Sequence, residues 1–235
     1  MTINADAGES ASGAQIDIDL MGAVDALNLA LGGHAGTPNW TRELAAMAAD
    51  RDCQINLHPG YPDRENFGRR PMPTLAWAEL AGSLSRQRAV LPEIASCKFH
   101  GALYNESDQD RNLADQLADW CRAEGITTLI ASPHGEMASA ALAIGIEVQR
   151  EGFADRRYQR IGDSIALVAR SLEDAVLEDV DQVVAQVASI LVHAEVPLLD
   201  GSMAELQCQT ICVHGDGPKA LEFAKAIRQL ITDHG

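Results

Sequence analysis

The chain has 235 residues, is 46% hydrophobic and 22% charged, and carries a formal net charge of −16 at pH 7. That composition is ordinary for a globular domain and excludes disordered, collagen-like and coiled-coil proteins. A surface this acidic repels phosphate backbones and anionic lipids, so we expect neither nucleic acid nor membranes as partners. The five cysteines form no CxxC pair and acidic residues come early, so we expect a reduced, cytoplasmic protein.

Short apolar runs alternate with helical stretches along the whole chain. Strands are predicted at residues 2–6, 27–32, 54–58, 97–101, 126–132, 146–152 and 209–215. Helices are predicted at 17–26, 38–51, 108–124, 179–193 and 218–234, with one more after a cap at Thr74 and a short one ending at Ala143. Polar loops are predicted at 59–73 and 154–164.

This alternation is typical of a parallel sheet covered by helices. We therefore predict an α/β fold with a single domain over residues 1–235. Its architecture is an irregular (β/α) barrel of about seven parallel strands, and an open doubly wound sheet is the alternative.

Polar side chains fall at the ends of the predicted strands. They are Asp6, His34, His58, Lys98, His100, Ser132, His134, Glu151 and His214. The carboxyl ends of parallel barrel strands meet on one face, where active sites are built. A single histidine there is more often structural, but five of the seven histidines follow the pattern, which favours a functional site.

Four of these residues are the catalytic candidates. Lys98 and His100 lie two apart on a strand and so point the same way, where the ammonium can stabilise an oxyanion and the imidazole can exchange protons. Asp6 and His58 are the further acid and base candidates. Asp6, His34 and His58 also form a donor set that suits zinc or a similar divalent ion, although their distance in sequence gives this metal site no support.

Two other segments carry candidates for anion binding. The run HPGYPDRENFGRR (58–70) contains Arg64 and Arg69, whose guanidinium groups can hold a carboxylate or phosphate through two hydrogen bonds. A solvated charged loop is the alternative there. The run HGDGPKA (214–220) places glycines at a strand end before a helix, which is a weak anion-binding signal.

Six motifs together resemble the LamB/YcsF family. They are NADAGE (4–9), GHAGTP (33–38), HPGYPDRENFGR (58–69), KFHGALYN (98–105), EGFADRRY (151–158) and TICVHGDGPKAL (210–221). The motifs span nearly the whole chain, and the third and sixth are long and specific.

The resemblance implies the seven-stranded irregular barrel of the glycoside hydrolase/deacetylase superfamily. It implies ATP-dependent opening of the 5-oxoproline (pyroglutamate) lactam to L-glutamate, ADP and phosphate, by a subunit that works with separate B and C subunits. Arg64, Arg69 and Lys98 would hold anions. Within the motifs, Asn4, Asn66, His214 and Asp216 are the other substrate-binding candidates.

The chain departs from the family pattern at three places. Thr37 stands where the family usually has aspartate, Phe99 replaces the proline of KPHG, and Asp174-Ala175 replaces a Gly-Ala pair. Because of these departures, a lactam other than 5-oxoproline remains an alternative substrate. Two alternative functions also remain, a metal-dependent carbohydrate or amide deacetylase and a non-catalytic binding subunit.

Overall fold

Seven parallel strands close into a barrel in the computed structural model, which describes residues 1–10, 13–162 and 164–234. The barrel strands are β1 (Thr2–Ala7), β2 (Ala26–Ala30), β3 (Gln54–His58), β4 (Ser96–Cys97), β5 (Thr128–Ala131), β6 (Glu147–Phe153) and β11 (Thr210–Val213). Neighbours follow the order β1-β11-β6-β5-β4-β3-β2, and β1 pairs with β2 to complete the ring. The predicted barrel is confirmed, and the open sheet is wrong.

Eight helices surround or cap the barrel in the described part of the chain. They are α1 (Gln15–Leu20), α2 (Pro38–Ala49), α3 (Trp77–Arg88), α4 (Gly101–Ser107), α5 (Arg111–Ala123), α6 (Glu136–Ala143), α7 (Val180–His193) and α8 (Ala220–His234). None of these helices, among the residues that are described, has the length and apolar character to cross a membrane.

Two antiparallel hairpins lie outside the barrel. One joins β7 (Tyr158–Ile161) to β8 (Ser164–Leu167), and the other joins β9 (Glu195–Pro197) to β10 (Met203–Glu205). The loop predicted at 154–164 is therefore wrong over 158–161 and at 164, whereas 154–157 lie outside the named strands and residue 163 lies outside the described residues. Ile161 pairs with Ser164 across a turn containing Gly162 at φ +57°, and such tight turns connect hairpin strands even when the side chains are charged.

Several predicted boundaries are also wrong. Helix α1 stops at Leu20 instead of reaching residue 26, and α3 starts after Ala76 without a side-chain cap from Thr74. The predicted strand 97–101 ends at Cys97, because Gly101 takes φ +58° and the chain turns at once into α4. Sequence periodicity is weak over such short elements, so their ends are poorly predicted.

The barrel interior is polar, and the opposite faces of its strands are apolar. Asn56 donates to Asn28 at 2.9 Å, Asn28 donates to Asn4 at 2.7 Å, and Asn4 donates to Thr210 at 2.9 Å. Alternate residues such as Ile3 are fully buried in the hydrophobic core on the other face. This interior row of amides, whose hydrogen bonds join side chains of different strands, leads directly to the charged groups at the mouth.

Candidate active site at the mouth of the barrel

Asp6 and Lys98 form a buried ion pair inside the mouth. The Lys98 ammonium lies 3.2 Å from Asp6 Oδ1, and Asn28 donates to the same oxygen at 2.8 Å. Burial alone would raise the pKa of Asp6, but the charges of Lys98 and His58 outweigh it and hold that pKa well below its usual value. Asp6 is therefore a carboxylate.

Lys98 is 2% exposed and is surrounded by groups that favour its charge. Besides Asp6, the ammonium contacts Glu151 Oε1 at 2.9 Å and Cys212 Sγ at 2.9 Å. Burial would lower the pKa of Lys98, but these three neighbours raise it well above the usual value. The mouth thus contains a fixed positive charge in a dry place, where it acts strongly on any reacting oxygen.

Three histidines and Glu9 cluster beside Asp6. His58 Nε2 lies 3.0 Å from His100 Nδ1, while Glu9 Oε1 lies 3.3 Å from His100 Nδ1 and 4.0 Å from His58 Nε2. His34 Nε2 lies 3.0 Å from the same Glu9 oxygen, and its ring stacks on His100 with centroids 3.6 Å apart. We call Glu9, His34, His58 and His100 the histidine cluster; a ligand atom of each lies within 4.8 Å of the others.

Backbone carbonyls fix the orientation of two rings in the histidine cluster. His58 Nδ1 lies 2.8 Å from the carbonyl oxygen of Lys98, and His100 Nε2 lies 2.9 Å from that of Phe67. A carbonyl only accepts hydrogen bonds, so these two nitrogens carry the protons. In the neutral rings the opposite nitrogens, His58 Nε2 and His100 Nδ1, therefore present lone pairs towards each other.

The pKa values of the four groups in the histidine cluster are shifted in different directions. Burial raises the pKa of Glu9 to about 8, and the charge of Asp6 adds to the effect. Burial lowers the pKa values of His34 and His100 well below the usual value, with neighbouring imidazoles adding to it. For His58, burial works in the same direction, but the charge of Asp6 outweighs it and the pKa is raised.

A cavity of about 690 Å³ opens onto these groups, and we call it the Arg69 cavity. Asp6, His58, Lys98 and His100 line it together with Arg69 and Arg170. Arg69 donates to Asp216 at 2.6 Å and lies over the Phe67 ring, and Arg170 lies 3.3 Å from the same carboxylate. Two guanidinium groups at the cavity wall can bind a carboxylate or phosphate.

The other predicted substrate-binding residues are placed in three ways. Asn66 and His214 line the Arg69 cavity, with His214 Nδ1 2.9 Å from Asp155 Oδ1. Asn4 lies deeper, in the row of interior amides. Arg64 lies apart from the cavity lining and donates to the carbonyls of Gly32 and Gly36 at 3.1 and 2.9 Å, so its contacts are with the backbone.

The predicted metal set is brought together only in part. His34 and His58 meet, but Glu9 and His100 complete the cluster, while Asp6 is engaged by Lys98 and Asn28. Sequence reasoning missed Glu9, although it ends the NADAGE motif just after β1. Gly8, at φ +72°, turns the chain directly after β1, and the side chain of Glu9 then lies beside the histidines in the mouth.

A second cavity, of about 670 Å³, adjoins the first, and we call it the Tyr104 cavity. Its lining includes Tyr104, Asp108, Ser132, Glu151 and Tyr158. The two cavities share lining residues at their junction, namely Tyr104, Asn105, Phe153, Arg156, Leu167 and Ala169. The two cavities therefore adjoin along the mouth, and we call the pair the cleft.

The three departures from the family pattern lie in different local environments. Thr37 is the N-cap of α2 and accepts a hydrogen bond from the Trp40 backbone at 3.3 Å, which confirms Pro38 as the first helical residue. Phe99 is a core residue at 2% exposure. Asp174 takes φ +59°, a left-handed conformation that glycine adopts without strain.

The fold and the site define a class of protein: a closed parallel β/α barrel with a buried acid–lysine–histidine centre at the carboxyl ends of its strands. The chain belongs to the LamB/YcsF family, whose family model matches residues 1–235.

Relatives agree with that membership. The chain is 34% identical over 243 residues to the 5-oxoprolinase A subunit of Methylococcus capsulatus, covering 99% of this chain and 92% of the relative. It is 38% identical over 242 residues to the 5-oxoprolinase A subunit of Neisseria meningitidis serogroup B, covering 99% and 96%. The crystal structure of a lactam utilization protein from Thermus thermophilus superposes with a TM-score of 0.85 at 30% identity, covering 100% of this chain and 97% of that one.

Proposed function

We propose that this chain is the A subunit of a cytoplasmic, ATP-dependent 5-oxoprolinase, which hydrolyses the lactam of 5-oxoproline to L-glutamate together with B and C subunits. The observation that carries the proposal is the Asp6–Lys98 pair at the wall of a cavity that also presents Arg69. Identities of 34% and 38% to curated A subunits, over nearly the whole chain, support the same substrate.

An unactivated lactam is a poor electrophile, which explains the need for ATP. Transfer of a phosphoryl group to the lactam oxygen releases ADP and activates the ring carbon. Water then adds to that carbon, and the C–N bond breaks with its electron pair going to nitrogen, which takes up protons. A second water releases phosphate, leaving L-glutamate.

The residues of the mouth suit these steps. The Asp6 carboxylate lines the cavity and can accept a proton from the attacking water. The fixed ammonium of Lys98 can stabilise the negative charge of the phosphoryl group on the lactam oxygen. Arg69 can hold the substrate carboxylate or a phosphate, since its fork matches either anion.

The histidine cluster fits a divalent metal ion. The three atoms Glu9 Oε1, His58 Nε2 and His100 Nδ1 lie 3.0, 3.3 and 4.0 Å apart, so one point lies about 2 Å from all three, as zinc ligation requires. The other ring nitrogens, His58 Nδ1 and His100 Nε2, donate to backbone carbonyls, as the non-ligating nitrogens of metal-bound histidines commonly do. The His34 ring stacks on His100 and its Nε2 lies 3.0 Å from Glu9 Oε1, so Glu9, His58 and His100 are the residues that would hold the ion.

We therefore propose Glu9, His58 and His100 as metal ligands. When bound, a divalent ion would supply Lewis acidity beside the Asp6 carboxylate. Chelator-treated protein titrated with Co²⁺ should bind about one equivalent and develop a visible spectrum, and His100→Ala should lose both. His193→Ala, on the exposed end of α7, is the matched control and should bind as wild type does. A wild-type protein that takes up no stoichiometric metal would refute the site.

The proposed activity is tested in the reconstituted complex of A, B and C subunits with ATP and 5-oxoproline. Asp6→Asn should reduce glutamate and phosphate formation by about 10²-fold or more, because the proton acceptor is lost. Asp19→Asn, at an exposed position of α1, is the control and should retain the wild-type rate. A metal-dependent release of acetate from acetylated sugars or amides, without ATP, would instead identify a deacetylase.

A further inference from the structure

The lining of the Tyr104 cavity includes three buried side-chain oxygen atoms without a hydrogen-bond partner among the described residues. The Tyr104 hydroxyl, Asp108 Oδ1 and Glu151 Oε2 all lack a hydrogen-bond partner within the described residues. Tyr104 is 7% and Glu151 is 1% exposed. Buried polar groups without partners are costly, so a ligand that supplies donors to them gains affinity.

Two buried carboxylates share one buried lysine at this place. Glu151 shares the Lys98 ammonium with Asp6, so one buried cation serves two carboxylates. Arg156 also lines the cavity, but it donates to the carbonyls of Val168 and Ala175. A third carboxyl, that of Asp108, has no ion-pair partner among the residues described.

The Asp108 carboxyl responds to that imbalance. Burial and then the charge of Glu151 raise the pKa of Asp108 to about 8, so the carboxyl holds a proton at neutral pH. A cationic ligand placed between the two carboxyls would remove the repulsion. Asp108 lines the cavity, and its Oδ1 packs so closely on Gly135 that a Cβ there would displace this carboxyl.

The two ends of the cleft have opposite character. The Arg69 cavity presents the guanidinium groups of Arg69 and Arg170, and the Tyr104 cavity presents carboxyls and a phenol. Phe153 is one of the residues that line both cavities. A ligand with a carboxylate at one end and an ammonium group at the other matches this polarity.

We propose that the Tyr104 cavity binds the amino group of an amino-acid ligand through Glu151, Asp108 and the Tyr104 hydroxyl. In the lactam reaction, and resting on the proposed function, this amino group is the nitrogen that ring opening frees. A lactam nitrogen carries one N–H, whereas the product carries an ammonium with three, so the cavity favours the opened product over the ring.

Calorimetric titration of the full chain with L-glutamate and with glutarate, which lacks only the amino group, tests the proposal. Glutamate should bind at least about tenfold more tightly, because charge-assisted hydrogen bonds to buried carboxyls are strong. Tyr104→Phe and Glu151→Gln should reduce this preference, while Arg69→Lys should weaken both ligands and leave the preference intact. Tyr104→Phe keeps the ring and its T-shaped contact with Phe153, so the variant should fold.

Equal affinities for the two ligands, no binding of glutamate, or an unchanged preference in both cavity variants would overturn the proposal. The titration needs neither ATP nor partner subunits. A complex that fails to open 5-oxoproline while the chain still prefers glutamate would therefore refute the proposed function and leave the amino-group site standing.

Discussion

Lys98 is a buried cation on which two carboxylates depend. Its ammonium lies between Asp6 and Glu151, and its own carbonyl orients His58. A lysine at a strand end is expected at the rim of a barrel, where it would carry little of the core, yet this one is 2% exposed. Its removal should therefore affect both the chemistry and the stability of the protein.

Lys98→Met should lower the free energy of unfolding by about 3–5 kcal/mol, because it leaves two buried carboxylates without their cation. Adding Glu151→Gln should restore part of the loss, since the second variant removes one of those charges. Denaturant unfolding of wild type, both single variants and the double variant measures the coupling. Additive losses would show that the two side chains do not interact.

Arg69 and Arg64 are a matched pair of arginines from one loop. Arg69→Lys should raise KM for 5-oxoproline or ATP about tenfold in the complete complex, because a point charge cannot replace the two-pronged contact. Arg64→Lys should instead lower the melting temperature with KM unchanged, since Arg64 donates to backbone carbonyls away from the cavity. Unchanged KM and kcat in Arg69→Lys would mean that its role is only structural.

At the scale of elements, Asp108 ends α4 and directs a protonated carboxyl into the cleft. Its pKa rises from 3.8 to about 8 on folding, so the folded state binds the extra proton between these values. Stability from this group is present at low pH and declines as pH rises through that window. The charge of Glu151 acts on Asp108, Asp108 in turn raises the pKa of Tyr104, and Glu151 contacts Lys98.

Asp108→Asn removes the ionisable carboxyl and should therefore remove its contribution to the loss of stability with rising pH. The free energy of unfolding of the variant, relative to wild type, should rise between pH 5 and pH 8 by up to about 1.4 kcal/mol per pH unit. Groups common to both proteins cancel in the difference. Urea unfolding across this range checks it, and a pH-independent difference would show that Asp108 ionises normally.

The barrel was predictable because its strands are short apolar runs in strict alternation with helices, and the polar residues at their ends marked the mouth. That rule selected Asp6, His58, Lys98 and His100, which the structure brings together in one cavity lining. Glu9 was missed because it lies after the end of β1, beyond the turn at Gly8. Tyr104 was missed because α4 starts where the sequence still favours a strand. The spacing of apolar residues along the sequence gives no information about contacts between residues on different helices or strands.

The left-handed Asp174 offers a simple check on backbone strain. Asp174→Gly should raise the free energy of unfolding by about 0.5–1 kcal/mol, because glycine adopts φ +59° without a Cβ penalty. A thermal melt of the lone chain measures the change. A lower melting temperature would mean that the aspartate makes a compensating contact.

At the scale of the molecule, the mouth supplies an acid–base centre and anion-binding arginines, while the sequence has no P-loop or kinase signature for ATP. The chain alone should therefore show negligible ATP-dependent opening of 5-oxoproline, and addition of B and C subunits should restore it. Phosphate and glutamate release, assayed with and without the partners, measures this. Full turnover by the lone chain would refute the requirement.

The closure of the barrel also determines when the site can exist. Asn4 bonds to Thr210, 206 positions further along the chain, because β1 pairs with β11. A ribosome releases β1 first, so a nascent chain exposes the open edges of its early strands until β11 emerges. Asp6 and Glu9 are synthesised before β11 and acquire their final surroundings only after β11 has emerged. A stalled or truncated product that stops before Thr210 therefore carries Asp6, Glu9, Lys98 and the cluster histidines without the closed barrel that brings them together.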